Sequence, residues 1–249
     1  MNNEPFFIIG CVRSGTTLLR DILRNHPNLA SPEETHYFRW AEVFGTPLSQ
    51  MQLLNNQVLK KHREMDNISE DEFKTILERS SSRGDLQKRY MDRYLLNNKL
   101  SATRWFDKTP QNVYGSAMIA SEFPRAKFVH IVRNPLNVVS SLRIGKVVKI
   151  ENIVGACNFW TEAAANIYML KKAFPKRVYE LRYEQLTENL LPEIEGLLDF
   201  VDESYDKRFF KDIKTTPKEH PHENLFTEDE IKTIKRICGR WGRHYGYFK

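Results

Sequence analysis

Apolar positions fall in short, dense runs separated by longer amphipathic stretches. Phe6 to Gly10, Thr103 to Asp107, Lys127 to Val132 and Arg177 to Arg182 are short runs rich in β-branched and aromatic residues, which predicts strands. A shorter candidate, Asn28 to Ser31, follows His26-Pro27. Helices are predicted over Thr17 to Asn25, over Gln111 to Glu122 after Thr109-Pro110, and over Pro135 to Arg143, where Asn134 suits the N-cap and Pro135 the first helical position. Ser69-Glu70-Asp71-Glu72 and Thr227-Glu228-Asp229-Glu230 have the pattern of capping boxes and start helices near Glu70 and Glu228. Strands alternating with helices predict a three-layer α/β fold around a mostly parallel, roughly five-stranded central sheet. The stretch from Ala41 to Leu100 is polar and helical without strand signals, so it reads as an insertion within a single domain spanning residues 1–249. Insertions over the carboxyl edge of such a sheet shape substrate pockets.

The 249 residues are 41% hydrophobic, 28% charged and 12% aromatic, enough for a full core without disulfides or metal. With 11 Gly and 11 Pro, the composition excludes collagen-like and disordered classes. The cysteines at 11, 157 and 238 have no metal-site spacing, and their odd count points to a reducing compartment. Phe6-Phe7-Ile8-Ile9 is too short for a signal-peptide core or membrane span, which predicts a soluble, cytoplasmic protein. Lys and Arg exceed Asp and Glu by 38 − 32 = 6, and this basic balance suits an anionic ligand or nonspecific affinity for nucleic acid.

Candidate chemistry begins where the first strand ends. Gly10-Cys11-Val12-Arg13-Ser14-Gly15-Thr16-Thr17 joins a strand to an apolar helix with Gly-x4-Gly spacing. Backbone N–H groups and the positive helix end converge there, Gly lets the backbone approach an anion closely, and hydroxyls add neutral donors, making a P-loop-like phosphate site. Nucleotide kinases place a Lys where Thr16 stands. Here the cation is Arg13, inside the loop, which argues against ordinary kinase or ATPase chemistry. In mid-chain, Phe128 to Val132 delivers Arg133 to a strand's carboxyl end before Asn134-Pro135 turns into a helix carrying Ser140 and Ser141, which implies a second anion site.

Arg13-Ser14-Gly15-Thr16-Thr17, together with Arg133-Asn134-Pro135-x5-Ser141, resembles the sulfotransferases that use 3′-phosphoadenosine 5′-phosphosulfate (PAPS). Glu33-Glu34-Thr35-His36-Tyr37-Phe38, Asp107-Lys108-Thr109-Pro110, Phe123-Pro124-x-Ala126-Lys127-Phe128 and Arg182-Tyr183-Glu184 extend the resemblance over most of the chain. The resemblance implies that Arg13, Ser14, Gly15, Thr16 and Thr17 grip the 5′-phosphosulfate, that Arg133 and Ser141 grip the 3′-phosphate, and that Tyr183 lies near the adenine. Trp105 is a further candidate for an adenine neighbour.

Sulfuryl transfer to an alcohol needs a base, cations on the moving group and leaving phosphate, and in-line placement. Glu34 maps onto the base of the Glu-x-His-aromatic-Phe string of glycan-modifying members, with Glu33 in reserve because tyrosine-modifying members carry a similar Glu-Glu-Thr string. Cytosolic small-molecule members instead carry a catalytic His after a Lys-Thr pair, where this chain has Pro110. His36 is then a positioner of acceptor or base, and Lys108 and Arg13 stabilise developing charge, Lys108 being the better proton donor. No metal is needed, and His220-Pro221-His222 lacks the further ligands of a metal site.

The implied partner is a hydroxyl-bearing small molecule or glycan, a carbohydrate or other aliphatic alcohol being favoured over a phenol or tyrosyl peptide. Lys232, Arg236, Arg240 and Arg243 form a basic stripe on the last helix, but no nucleic-acid-binding signature accompanies it. Two other readings remain open: a P-loop-type kinase, and a noncatalytic binder of nucleotide or nucleic acid.

Overall fold

The computed structural model describes residues 4–145, 148–216 and 225–249. Its sheet holds five parallel strands, β1 (Phe6–Ile9), β2 (Leu29–Ala30), β3 (Arg104–Lys108), β4 (Lys127–Val132) and β5 (Val178–Arg182), in the order β2-β3-β1-β4-β5. Surrounding helices complete an α/β fold, as expected. All five strands lie where the apolar runs predicted them, the second shrinking to two residues. The chain divides into two compact units, 1–9 with 17–128, and 10–16 with 129–249.

In the first unit, β3 pairs with β1 in the register Phe6↔Phe106, Phe7↔Asp107, Ile8↔Lys108, and β2 pairs with β3 through Leu29↔Arg104 and Ala30↔Trp105. Every residue of β1 is buried, as a strand covered on both faces requires. Phe6 stacks on Phe106 at 4.8 Å, and Phe7 meets Phe38, Trp105 and Phe123. Trp105, a sequence candidate for the adenine, thus packs within this apolar cluster. Helix α1 (Thr16–Leu23) stops two residues short of the expected end, where Arg24, Asn25 and His26 turn the chain toward Pro27.

The polar stretch after Ala41 carries four helices and no strand, α2 (Pro47–Asn55), α3 (Gln57–Met65), α4 (Glu70–Glu78) and α5 (Arg83–Asn97). Ser69 forms the expected capping box with Glu72. Arg63 of α3 is 2% exposed; it bonds Glu70 at 2.6 and 2.8 Å and the Leu53 carbonyl at 3.1 Å, and lies 4.1 Å over the Phe73 ring.

The helix expected over 111–122 divides in two. Pro110–Gly115 winds as a tight 3₁₀ segment and only Ser116–Glu122 is α-helical (α6). At the junction, the Gly115 backbone approaches the Phe38 carbonyl so closely that a Cβ would lie 1.9 Å from that oxygen. Asn112, in the tight segment, uses its amide on Asp107 and on the Phe38 N–H instead of facing solvent.

In the second unit, α7 (Pro135–Arg143) has the predicted bounds, with the Asn134 side chain accepting from the Leu136 N–H. It packs with α8 (Ile153–Ala173) and α11 (Glu228–His244), while α9 (Tyr183–Glu188) and α10 (Leu190–Phe200) pack on β5. Thr227 and Glu230 form the second predicted capping box. All three cysteines are buried free thiols, Cys157 and Cys238 in hydrogen-bond contact. Among the described residues no helix is long and apolar enough to cross a membrane.

Candidate active site

The loop of residues 10–16 needs backbone conformations that glycine supplies. Gly10 and Gly15 have φ of +148° and +95°, and Arg13 adopts the left-handed region at +68°. Space is as limiting as torsion. A Cβ on Gly10 would lie 2.9 Å from the buried His130 ring, and one on Gly15 would lie 2.4 Å from the Tyr183 ring. The Ser14 hydroxyl is buried and has no hydrogen-bond partner among the described residues, a donor held ready for something absent from the fold itself.

The two arginines singled out by sequence meet at this loop. Arg13 donates through Nε to the Ser141 hydroxyl at 2.9 Å, and Arg133 donates to the Arg13 carbonyl at 3.2 Å while lying 4.3 Å over the Tyr183 ring. Burial lowers the pKa of the Arg133 guanidinium from its ordinary value, with Tyr183 and Glu184 opposing. Trp160 fixes the strand end by donating to the Arg133 carbonyl at 3.1 Å, and the Glu184 carboxylate accepts the Asn134 N–H at 3.0 Å. Arg13, Ser14, Gly15, Arg133, Ser141 and Tyr183 therefore form one cluster in the second unit. It presents two guanidinium groups and two hydroxyls, a donor set matched to phosphate or sulfate oxygens.

The first unit assembles the other candidates. Lys108, 2% exposed at the end of β3, donates to Glu34 Oε1 and lies 3.3 Å from the Thr17 hydroxyl of α1. The second Glu34 oxygen is 3.3 Å from His36 Nε2. Burial pushes the Glu34 carboxyl up, but the His36 hydrogen bond and the Lys108 charge outweigh it and hold the group at about 2. Burial pulls His36 down despite Glu34, so its ring is neutral and donates through Nε2, leaving a buried Nδ1 with no hydrogen-bond partner among the described residues. His36 has φ +58°, and its ring stacks on His62, whose Nδ1 contacts the Glu34 carbonyl at 2.8 Å. Neighbouring Glu33 is engaged elsewhere, bonding Arg20 at 2.6 Å and Arg24 at 3.5 Å.

One residue beside these was missed. Asp107, fully buried, accepts from Thr35 at 2.8 Å, Thr109 at 3.1 Å and Asn112 at 3.0 Å, while the Thr109 hydroxyl accepts the Thr35 N–H at 3.0 Å. Burial pushes the Asp107 carboxyl up to about 6 against these hydrogen bonds. It clamps the Glu34-Thr35-His36 segment to the strand that carries Lys108. The Asp107-Lys108-Thr109-Pro110 string was visible in sequence, but only Lys108 carried an evident charge role. Among the described residues no group of three or more His, Cys, Asp or Glu could hold a metal, and His220 and His222 lie outside the described residues.

Residues 5–207 match the family model described as "Sulfotransferase family". An uncharacterized protein of Aquifex aeolicus (strain VF5) is 28% identical over 256 residues, taking in 99% of this chain and 31% of its own length. The chain thus spans about a third of the curated relative it matches. Among solved structures, the sulfotransferase domain of the Synechococcus PCC 7002 olefin synthase is similar, with a TM-score of 0.63 and 21% identity over 95% of this chain and 88% of that one. Mouse sulfotransferase SULT7A1 complexed with PAP has a TM-score of 0.53 and 11% identity over 98% and 85% of the two chains. At these identities the two structures share the fold with this chain.

Proposed function

The chain belongs to the sulfotransferase family, and on that premise we propose that it transfers a sulfuryl group from PAPS to a hydroxyl, with Glu34 as general base. The observation that carries this reading is the Lys108 ammonium seated between the Glu34 carboxylate and the Thr17 hydroxyl, which supplies a proton acceptor and a cation side by side. Neither Glu33, turned to two arginines, nor the neutral His36 offers the same pairing.

The donor is a co-substrate whose charges fit the second cluster. The unpartnered Ser14 hydroxyl, the Arg13 and Arg133 guanidinium groups and the Ser141 hydroxyl offer donors for the anionic groups of the nucleotide, and the space against Gly15 admits no side chain. Arg13, Ser14, Gly15, Thr16 and Thr17 take the 5′-phosphosulfate in this reading, Arg133 and Ser141 the 3′-phosphate, and Tyr183 the adenosine side. The PAP in the structure of the mouse protein supports the choice of nucleotide.

In the reaction the acceptor oxygen forms its bond to sulfur as the bond from sulfur to the bridging phosphate oxygen breaks. The acceptor proton passes to Glu34, and the bond pair leaves with the phosphate, where Lys108 and Arg13 neutralise it. Lys108 has to leave Glu34 to do so, and its departure leaves the His36 hydrogen bond but removes the lysine's share of what lowers the carboxyl. Glu34 therefore becomes more basic as the leaving group draws the lysine away. His36 keeps the carboxylate oriented. Helices α2 to α5 shape the acceptor side, for which a carbohydrate or other aliphatic alcohol is the favoured class, and the three free thiols suit a reducing compartment such as the cytoplasm.

Thermal denaturation with PAP, and separately with ATP and Mg²⁺, tests the donor assignment. PAP should raise the melting temperature and ATP should not, because a ligand that binds the native state stabilises it. Arg133→Ala should abolish the PAP shift. Stabilisation by ATP and Mg²⁺ alone would transfer the assignment to a kinase, and no shift with either would favour a noncatalytic protein. Transfer of labelled sulfate from PAPS to a panel of sugars and alcohols tests the reaction.

A further inference from the structure

We propose that the cavity at the carboxyl end of α11 is an anion site for a sulfated or carboxylated saccharide. This inference rests on the reading of the protein as a hydroxyl sulfotransferase. The charge distribution points to it first. From Ile231 to Lys249 the chain carries six Lys or Arg and no Asp or Glu, a surplus equal to the formal net charge of +6 of the whole protein.

Complementing the helix dipole explains only part of this. Acidic residues fill the first turn of α11 and Arg243 and His244 the last, but Lys235 and Arg236 stand in mid-helix and Lys249 beyond it. Lys232 is paired with Asp229 at 3.1 Å. Lys235, Arg236, Arg243 and Lys249 are exposed and have no acidic partner among the described residues.

The second observation is geometric. Lys235, Arg243 and Lys249 line a cavity of about 470 Å³ whose remaining walls are Leu136, Tyr247 and Phe248. Cations beside aromatic and aliphatic surface suit a ring bearing anionic groups, the ring resting on the aromatic face while its substituents meet the cations. The walls are fixed in advance. Tyr247 donates to Glu184 at 2.7 Å under the Arg182 guanidinium, which lies 4.5 Å over its ring, and Phe248 packs so closely on Gly242 that a Cβ there would lie 2.3 Å from the Phe248 ring. The apolar side of α11, with Ile234, Cys238 and Trp241, is buried within the fold, so the face left outside is charged and has no greasy surface to enter a bilayer. A saccharide also supplies the hydroxyls that the proposed reaction consumes.

Titration calorimetry with a heparin hexasaccharide at several salt concentrations tests the site, with a single-stranded DNA dodecamer in parallel and PAP-induced thermal shifts on every variant. The wild type should bind the hexasaccharide, Lys235→Ala/Arg243→Ala should weaken it at least tenfold with a shallower salt dependence, and Lys232→Ala should bind like the wild type. All three should keep the same PAP shift. Absence of hexasaccharide binding, or equal binding by the double variant, overturns the site. Tighter binding of DNA than of the hexasaccharide overturns its assignment to saccharide, and loss of the PAP shift in the double variant assigns the cavity to the donor instead. A wild type that binds the hexasaccharide but shows no PAP shift contradicts the proposed function and leaves the anion site standing.

Discussion

Lys108, buried, and Glu34, partly exposed, form an ion pair in which the lysine ammonium also reaches the Thr17 hydroxyl at 3.3 Å. The proposed base and the proposed stabilising cation thus neutralise each other before substrate arrives. Such a pair spares the buried Lys108 an isolated charge, and separating it exposes both groups to the reaction.

Glu34→Gln should keep the PAP-induced thermal shift and lose about 10²- to 10⁴-fold in sulfate transfer, the usual contribution of a positioned general base. Glu33→Gln should retain transfer and lose stability, because it breaks contacts to Arg20 and Arg24. Initial rates on both variants decide the matter, and wild-type turnover by Glu34→Gln removes Glu34 from its role.

Glu34 also sets an acid limit. Its folded pKa of about 2 lies below the unfolded value of about 4.3, so its stabilising contribution is present above the unfolded value and is lost as pH falls through the folded one. Wild type should therefore lose stability relative to Glu34→Gln between about pH 5 and pH 2 in denaturant titrations. A difference that stays constant over that range contradicts the ion pair.

Asp107 predicts the opposite slope. Its folded value of about 6 exceeds the unfolded value of about 3.9, so ionisation opposes folding and stability is lost as pH rises through 6. Asp107→Asn removes this titration, and the stability of the wild type relative to it should fall between pH 4 and pH 7. Chemical denaturation across that range gives the answer, and parallel curves would show that Asp107 does not titrate there.

Gly15→Ala should abolish PAP stabilisation. The new methyl would meet the Tyr183 ring at 2.4 Å, at a φ of +95° that L residues rarely adopt. A loss of about 2–4 kcal/mol in unfolding free energy is expected from torsion and overpacking together. Calorimetric melting with and without PAP reports both effects, and an unchanged PAP shift would separate Gly15 from the donor site.

Arg63→Ala removes a cation 2% exposed to solvent that holds Glu70, the Leu53 carbonyl and the Phe73 ring. Breaking a buried pair from one side costs about 3–5 kcal/mol, less here because Glu70 is partly solvated. The PAP shift should persist at the lower melting temperature. Its disappearance would mean that the helical insertion supports the donor site as well.

The sequence by itself determined the strands, both capping boxes, the bounds of α7 and the glycine-bounded loop after β1, because those features are set by nearest neighbours: apolar runs, N-cap hydroxyls, prolines and glycine torsions. It also named Glu34, Lys108, Arg13, Arg133 and Ser141. Three things were decided by tertiary structure. Glu33 and Glu34 are adjacent and chemically alike, and only the placement of Arg20, Arg24 and Lys108 tells them apart. Asp107 became a clamp because folding buried it among Thr35, Thr109 and Asn112, residues up to 72 positions away. The Phe38 carbonyl, far away in sequence, leaves no room for a side chain at Gly115, where the 3₁₀ segment Pro110–Gly115 ends. Local chemistry fixes which backbone shapes a segment can take, whereas charge pairing and close packing depend on partners that only the folded chain brings within a few ångströms.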